Sequence, residues 1–451
     1  MTTTHPGDAG SIVSPALRAT TIAAVALISI FAFEALAVGT AMPVVADDLG
    51  GIELYALAFG APLAAGVLGM VAAGPWSDRR GPGPATWWGL AGFVGGVLVA
   101  GLAPSMTVLV LGRTLQGAGA GATIVALYVL VARCYPEALH PRVFAAFSTA
   151  WVVPSLVGPP VAGLVADHLG WRWVFLAVPL GVLPAVVLLR PTLARLGRPI
   201  TDDAVGERAP IAWAACAAVA AGVLHVAGHR LDPTGLALLV ASLAGLTLAL
   251  PHLVPVGTFR AARGLPAVIA LRGLFAAGFF SAEVFIPLML TRERGLSPAV
   301  AGAALTIAAL SWALGSNLQA RFTRPERRTL LLRCSAVSVA VAVVCAAVTA
   351  VLPVPTALTV AGWTLAGLGM GTAYPTLSLL SLQLAEPGRQ GSASSALQIS
   401  DSMTSSIALA VSGSVFATLI GSAPETAYLA GFAIAAVFLL AAVLVAPRAS
   451  H

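Results

Sequence analysis

Five ionisable side chains stand inside long hydrophobic runs of this 451-residue chain, and they are the residues best suited to chemistry. They are three carboxylates, Glu34, Glu283 and Asp401, and two guanidinium groups, Arg113 and Arg272. A charge at the centre of a membrane helix costs about 2.5–3.5 kcal/mol on insertion scales, so it needs a partner, water or a proton. A carboxylate in such a place is disfavoured when ionised, because it has lost its water. All three carboxylates are therefore candidates for binding a proton.

A polar stripe surrounds one of these carboxylates, Asp401. Serine and glutamine side chains recur around it at intervals of three or four residues between Ser394 and Ser405, so they share one face of a helix. Such a face is typical of a cavity wall, and hydrogen bonding between neighbouring helices is the alternative. The two arginines can pair with carboxylates or extend to the membrane surface. The predicted cavity residues and charge partners are Arg113, Gln116, Arg272, Gln398, Ser402 and Ser405.

Membrane helices are the elements that must position these residues. Hydrophobic residues make up 58% of the chain and charged residues only 9%, against roughly 25% charged in soluble domains. Fourteen runs have the length needed to span a bilayer, which takes about 20 mostly apolar residues. They lie at 20–45, 54–73, 86–103, 106–132, 143–166, 172–189, 211–228, 234–252, 265–290, 298–319, 329–352, 356–382, 394–420 and 427–446. The composition therefore predicts an all-α integral membrane protein with fourteen transmembrane helices.

Two glycine-rich segments form an internal repeat. LQGAGAGATIVAL at 115–127 and LAGLGMGTAYPTL at 365–377 share Gly-x-Gly-x-Gly at an offset of 250 residues. Each lies in the fourth run of a set of six, which predicts two six-helix halves with a helix pair inserted between them. Close helix packing alone favours glycine but does not predict matching positions. The predicted segments are a tail at 1–19, the N-terminal half at 20–189, a linker at 190–210, the inserted pair with its loop at 211–264, the C-terminal half at 265–446 and a tail at 447–451.

The arginines predict the orientation in the membrane. All 24 basic residues are arginine, and arginine is enriched in cytoplasmic loops. Sorting them into alternate loops places eighteen on one side, four on the other and two inside spans. The larger group marks the cytoplasm, so both termini are predicted to lie on the cytoplasmic side of the cell (inner) membrane. The smaller group is Arg172, Arg230, Arg292 and Arg294.

The polar segment GPWSDRRGPGP at 74–84 joins the second and third runs on the predicted cytoplasmic side. Gly74 and Gly81 are expected to permit a tight turn there. Asp78 can meet a helix N-terminus or an arginine. With Arg79 it forms a candidate gating loop, and a solvated turn is the alternative.

Two segments resemble motifs of the major facilitator superfamily. The polar loop resembles the family's G-x-x-x-D-R-x-G-R motif through Gly74, Asp78, Arg79 and Gly81, but lacks the last basic residue. LGRTLQGAGAG at 111–121 resembles the helix-four motif R-x-x-x-Q-G, with the glutamine one place early. In this family the loop is thought to lock the cytoplasmic gate in the outward-open state.

Two further segments point to exporters within that family. PSLVGPPVAG resembles the helix-five motif of its antiporters through Gly158, Pro159 and Gly163. These three residues are expected to bend the helix and to allow close approach of a facing helix where the two halves meet. FEALAVGTAMP at 33–43 resembles the helix-one signature of the fourteen-helix drug/proton antiporters, with Glu34 at the acidic place and other residues at its threonine and asparagine places.

The resemblance implies a proton-coupled antiporter that exports amphipathic organic compounds as two halves rock about a central cavity. Glu34 is then predicted to carry the coupled proton, with Asp401 or Glu283 as the alternative carrier. The expected partners are a small-molecule substrate, protons and the lipid bilayer, and the protein is expected to act as a monomer. A dedicated exporter of a lipid, metabolite or antibiotic would share every motif quoted.

A membrane-embedded enzyme is a remote alternative. No Ser/His pair, acidic cluster or phosphate-binding loop occurs at a membrane edge of the sequence. The four cysteines follow no metal-ligand or redox spacing, so neither a metal nor a cofactor is expected. The arginines form no basic patch outside the loops, which argues against nucleic-acid binding.

Overall fold

The computed structural model describes residues 10–50, 54–196, 210–227, 233–296, 298–321 and 327–449. These ranges fold into α-helices joined by short turns, as the sequence predicts. The helices are α1 (Arg18–Asp48), α2 (Tyr55–Arg80), α3 (Pro82–Gly101), α4 (Met106–Cys134), α5 (His140–Thr149), α6 (Val152–His168), α7 (Arg172–Leu176), α8 (Val178–Arg195), α9 (Ile211–Ala227), α10 (Pro233–Leu253), α11 (Leu265–Glu283), α12 (Phe285–Arg292), α13 (Pro298–Gln319), α14 (Arg328–Val351), α15 (Ala357–Gln383), α16 (Gln390–Leu419) and α17 (Pro424–Val445). We call α1–α8 the N-terminal half, α9–α10 the inserted pair and α11–α17 the C-terminal half.

Ten helical stretches within the described ranges are long and apolar enough to cross a membrane. They are α1, α2, α3, α4, α10, α14, α17 and the stretches that contain α5–α6, α7–α8 and α11–α12. The helices α9, α13, α15 and α16, which the sequence also assigns to the membrane, are not among the ten. The count of fourteen spans therefore stays a prediction.

Three predicted spans consist of two helices each. The run 143–166 is divided between α5 and α6, the run 172–189 between α7 and α8, and the run 265–290 between α11 and α12. Each break lies within four residues before a proline, Pro154, Pro179 or Pro287. Proline lacks the N–H that would close the preceding turn and clashes with the carbonyl four residues earlier, so the helix is interrupted there.

The predicted linker begins too early. Helix α8 continues through Arg195, whereas the sequence places the start of the polar link at Arg190. Arg190 and Arg195 lie on helical turns, where long side chains can cover apolar surface while their charges face water. Residues 197–209 of the predicted linker lie outside the described residues.

The glycine repeat has the same packing role in both halves. In each set, the first and third glycines contact the helix that comes two before their own in the chain. The glycines of α4 contact α2, and those of α15 contact α13. The middle glycine presses against the adjacent helix, α3 or α14. An added Cβ atom would come within 2.3 Å of a neighbouring atom at every one of these positions, so only glycine fits. The residues are Gly117, Gly119, Gly121, Gly367, Gly369 and Gly371.

We expect Gly121→Ala to destabilise the protein by about 1–3 kcal/mol, because overpacking forces two helix backbones apart. Its Cβ would lie 2.1 Å from the Gly66 carbonyl oxygen. Thermal unfolding in detergent checks this prediction. Gly163→Ala is the matched control, since Gly163 is also helical but a Cβ there meets no atom of the described residues within 4 Å. Equal unfolding temperatures for the two variants would contradict the packing role.

The inserted pair lies beside a contact between the two halves. Its helices pack on each other, α9 packs on α2, and both helices reach α16. One apolar cluster contains Leu224 of α9, Leu246 of α10, Val67 of α2 and Met403 of α16, all buried. The inserted pair therefore covers part of the seam where α2 meets α16.

Burial differs between the two ends of the helices that lie near the centre. The predicted cytoplasmic portions of α4, α15 and α16 contain the fully buried runs 125–131, 373–382 and 393–400. Nearer the opposite membrane face, residues 401–416 of α16 alternate between buried and partly exposed. The burial of α16 is thus most continuous at the predicted cytoplasmic end.

Candidate functional site

A buried ion pair joins Glu34 in the middle of α1 to Arg113 on α4. Both side chains are only 7% exposed. The Nη1 group of Arg113 also donates to Oε1 of Gln116 at 2.9 Å. Arg113 and Gln116 are three residues apart and therefore share one face of α4. Arg113 consequently does not extend to the membrane surface, and the structure brings three of the predicted site residues together.

A second buried pair joins Arg272 on α11 to Asp401 on α16. The Nε atom of Arg272 donates to Oδ1 of Asp401 at 2.9 Å, and their side chains are 6% and 22% exposed. The Tyr374 hydroxyl donates to the same oxygen at 2.7 Å. The guanidinium also lies 3.5 Å from the centre of the Tyr374 ring, a cation–π contact. Arg272 is therefore fixed by Asp401 and Tyr374 and does not reach the membrane surface.

A hydrogen-bonded contact extends from the second pair to the N-terminal half. The Ser378 hydroxyl lies 3.4 Å from Nη1 of Arg272 and 3.4 Å from the hydroxyl of Tyr128 on α4. Sequence reasoning missed Tyr128, Tyr374 and Ser378. Tyrosine is rare in this chain, with five residues, and two of them follow the repeated glycines closely. Their position after the glycine repeat was the feature of the sequence that could have pointed to the two tyrosines, Tyr128 and Tyr374.

Glu283 stands apart from both pairs. It is the last residue of α11, immediately before the break at Val284, and it is partly buried. No described residue forms an ion pair or hydrogen bond with its carboxylate. The three predicted proton carriers thus differ in their polar partners on other helices. Among the described residues, Glu34 has one such partner, Asp401 has two and Glu283 has none.

The polar stripe of α16 is only partly satisfied. The Ser405 hydroxyl bonds to the backbone oxygen of Asp401 at 2.7 Å, within its own helix, and the Ser402 carbonyl accepts from Ser406. Ser394 and Gln398 are buried, and the Ser394 hydroxyl and the Gln398 side-chain oxygen have no partner among the described residues. Buried polar atoms are normally paired, so these two atoms are available to water or a ligand. Gln398 lies one helical turn from Asp401.

The carboxylate of Asp78 caps the start of α16. Its Oδ1 accepts from the backbone N–H of Gly391 at 2.7 Å, and its Oδ2 accepts from the backbone and hydroxyl of Ser392 at 2.9 and 2.7 Å. A carboxylate is stabilised at a helix N-terminus, where free N–H groups and the helix dipole attract negative charge. This contact fastens α2 of the N-terminal half to α16 of the C-terminal half.

The predicted turn at Gly74 is wrong. Helix α2 continues through Gly74 and the half-buried Arg79 to Arg80, and the chain turns at Gly81, whose φ is +81°. Gly74 instead permits close contact with α16, because an added Cβ would lie 2.9 Å from the Gly391 carbonyl oxygen. The helix stays intact there since the packing of α2 on α16 favours it over the local preference of glycine for turns.

An arginine outside the predicted loop also holds the end of α2. Nη2 of Arg133, at the end of α4, donates to the carbonyl oxygens of Ser77 and Asp78 at 3.2 and 3.4 Å. These carbonyls belong to the last turn of α2, where a cation is favoured by the helix dipole. Arg133 therefore fixes the helix end that carries Asp78.

The helix-five residues do not make the tight contact that the sequence predicts. Gly158, Pro159 and Gly163 lie on α6, which packs mainly on α1 of the same half. A Cβ at Gly158 would meet Phe33 and Leu36 of α1 at 3.7 Å, an ordinary contact distance, and one at Gly163 would meet no described atom within 4 Å. Among the described residues the expectation of close helix approach is therefore wrong, since Gly158 meets only α1 of its own half and at an ordinary distance.

We expect Asp78→Asn to lower transport several-fold while expression stays normal. The amide keeps the shape of the carboxylate but loses its charge at the helix N-terminus, which shifts the balance between conformations by a few kcal/mol at most. Transport activity at matched protein level checks this. Glu386→Gln is the control, since Glu386 lies near the same helix start but its side chain is 75% exposed. Unchanged transport by the Asp78 variant would mean that the bonds of Asp78 to the start of α16 have no gating role.

Comparison with known proteins agrees with this architecture. The family model of the Major Facilitator Superfamily matches residues 22–409. A probable multidrug-efflux transporter of Mycobacterium tuberculosis (strain ATCC 25618 / H37Rv) is 27% identical over 436 residues, which cover 91% of this chain and 90% of the relative. Multidrug resistance protein 3 of Bacillus subtilis (strain 168) is 29% identical over 154 residues, 34% of this chain and 30% of the relative.

Solved structures share the fold at low sequence identity. The human organic anion transporter MFSD10 superposes with a TM-score of 0.70 at 15% identity, covering 96% of this chain and 100% of that one. A bacterial homologue of the iron transporter ferroportin in an outward-facing state also gives 0.70, at 14% identity and coverage of 95% and 98%. The family model matches most of the sequence. This match agrees with the sequence motifs, the glycine repeat and the helical fold. The chain therefore belongs to the major facilitator superfamily and is a membrane transporter, not an enzyme.

Proposed function

We propose that this transporter exports amphipathic organic compounds in exchange for protons. Two lines support export of drug-like compounds: the relatives are named as multidrug-efflux or multidrug-resistance proteins, and the helix-one and helix-five segments resemble those of drug antiporters. Proton exchange rests on the buried contact between Glu34, Arg113 and Gln116. That contact is the observation that carries the proposal.

The Glu34–Arg113 pair has the chemistry of a proton switch. While Glu34 is ionised, Arg113 balances its charge in a place that water barely reaches. Protonation of Glu34 removes the attraction and leaves Arg113 to find another acceptor, so the two protonation states favour different arrangements of α1 and α4. Substrate is proposed to favour one of these arrangements and the proton the other, which couples the two movements.

The gate contact couples this switch to the direction of access. The Asp78 cap holds α2 against α16 at the predicted cytoplasmic end, where the central helices are fully buried. In this arrangement substrate leaves toward the side opposite the cytoplasm, and a proton enters from that same side. Opening of the α2–α16 contact then exposes the centre to the cytoplasm, where the proton is released and the next substrate binds.

Glu34 is the preferred proton carrier because its polar contacts differ from those of the other two carboxylates. Asp401 accepts from both Arg272 and Tyr374, so its ionised form is held by two groups. Glu283 has no described polar partner, so its protonation would break no contact and move no helix. Asp401 and Glu283 remain the alternative carriers.

Transport by purified protein in liposomes tests the proposed function. An imposed pH gradient and a panel of dyes, cationic drugs and antibiotics would decide direction, coupling and substrate class together. Gradient-dependent movement of several unrelated amphipathic compounds is the expected result. Movement of a single lipid, metabolite or antibiotic would favour the dedicated exporter, and movement independent of pH would overturn proton coupling.

Cysteine labelling tests the proposed topology, in which both termini lie in the cytoplasm of the cell (inner) membrane. In a background without the four native cysteines, Glu425→Cys is expected to react with an impermeant thiol reagent in intact cells, whereas Arg389→Cys is expected to resist it. The reason is the arginine distribution, which assigns residue 389 to the cytoplasm and residue 425 to the opposite side. Both residues are exposed, so accessibility is matched. Labelling of Arg389→Cys from outside would reverse the orientation.

A further inference from the structure

A groove lies between the start of α3 and the end of α8, away from both ion pairs. Its volume is about 500 Å³. Most of its wall is apolar, and one residue, Arg190, is charged. The lining residues are Gly83, Pro84 and Trp87 from α3, and Val186, Arg190, Leu193 and Ala194 from α8. The groove therefore offers a hydrophobic surface with a single cation beside it.

Arg190 is free to bind an anion. Its side chain is exposed, and no described residue pairs with its guanidinium. It belongs to the arginine-rich side of the protein, which the distribution of arginines assigns to the cytoplasm. The cytoplasmic leaflet carries anionic lipids, so the charge of Arg190 is complementary to the surface that it faces.

The neighbouring surface faces acyl chains. Leu183 and Val187 on α8 are 59% and 68% exposed, and Trp88 on α3 is 69% exposed. Large apolar side chains exposed on a membrane helix lie against lipid, and tryptophan favours the boundary between the headgroups and the chains. The groove thus opens to the bilayer at the level of the headgroups.

We propose that this groove binds an anionic phospholipid. The phosphate pairs with the guanidinium of Arg190, and an acyl chain lies along Val186 and Trp87. Arginine favours phosphate because its planar fork of N–H groups can donate two parallel hydrogen bonds. Basic pockets between membrane helices on the cytoplasmic side are a recurrent setting for such headgroups.

A bound lipid would join two helices that otherwise meet only in part. Gly83 and Pro84 belong to the first turn of α3, directly after the turn at Gly81 that follows the gate helix α2. Arg190 and Leu193 belong to the last two turns of α8. Lipid binding is therefore expected to stabilise the N-terminal half as well as to occupy the groove.

Native mass spectrometry and thermal unfolding of the full-length protein in detergent test the site. The probe is phosphatidylglycerol, compared with phosphatidylcholine and with inorganic phosphate alone. We expect phosphatidylglycerol to remain bound and to raise the unfolding temperature, and Arg190→Gln to weaken its apparent affinity about fivefold. Arg195→Gln is the matched control, because Arg195 is exposed on the same helix but does not line the groove. Phosphate alone is expected to have no effect, because it has no acyl chain to fill the groove.

A second variant tests the apolar wall independently of charge. Ala194→Trp keeps Arg190 but fills the groove, so it is expected to weaken phosphatidylglycerol binding as well. Equal losses in the Arg190 and Arg195 variants would indicate general surface electrostatics and overturn the site. Equal binding of phosphatidylcholine, or an effect of phosphate alone, would also overturn it.

Discussion

The Glu34→Gln protein is expected to bind substrate but to lose gradient-driven export, down to the level of empty liposomes. Glutamine keeps the size of glutamate and can still accept a hydrogen bond from Arg113, but it cannot release or take up a proton. Because glutamine keeps the hydrogen bond from Arg113, the buried contact keeps its shape although the charge of Glu34 is lost. The loss should therefore appear in coupling and leave binding largely intact.

Two measurements and two further variants separate this result from a folding defect. Substrate binding and the unfolding temperature of the Glu34→Gln protein report whether the site and the fold persist. Glu34→Asp keeps a titratable carboxylate one methylene shorter and is expected to retain part of the export. Glu425→Gln alters an exposed carboxylate and should behave as wild type. Wild-type proton-driven export by Glu34→Gln would contradict the assignment and move it to Asp401.

The Arg272→Met protein is expected to show the largest loss of stability, about 3–5 kcal/mol, because Asp401, which is partly buried, is left without its cation. The loss of stability is expected toward the lower end of that range, because Asp401 is 22% exposed and still accepts a hydrogen bond from Tyr374. Thermal or denaturant unfolding in detergent measures it.

A double substitution shows whether the loss belongs to the pair. Arg272→Met with Asp401→Leu removes both charges, so it is expected to be more stable than Arg272→Met alone. Arg389→Met is the exposed control, since its ion pair with Glu386 has side-chain exposures of 54% and 75% and is worth about 0–1 kcal/mol. Additive effects of the two substitutions would mean that Arg272 and Asp401 do not stabilise each other.

The sequence could identify the embedded charges but not their partners. An arginine or carboxylate within an apolar run is conspicuous in any membrane chain. Which helix faces meet is decided by packing, and the paired residues here lie 79 and 129 positions apart. Tyr374 was missed for the same reason, because a tyrosine in a glycine-rich helix has no pattern that predicts its contact with Asp401.

Local residue preferences were least reliable around glycine and proline. The glycine repeat was informative, since one spacing recurs in two helices and serves the same packing in both. Gly74 was misread as a turn because its close contact with α16 depends on residues more than 300 positions away. The contact of Asp78 with a helix N-terminus was among the outcomes that its charge predicts, but the sequence could not say which helix.

Proton movement driven by substrate is the most direct measurement of the central claim. Liposomes that contain the purified transporter and a pH-sensitive dye are given a substrate gradient without a pH gradient. The account predicts that wild-type protein moves protons against the direction of substrate flow, and that Glu34→Gln protein does not. Substrate flow without proton movement in the wild type, or equal proton movement in both proteins, would contradict it.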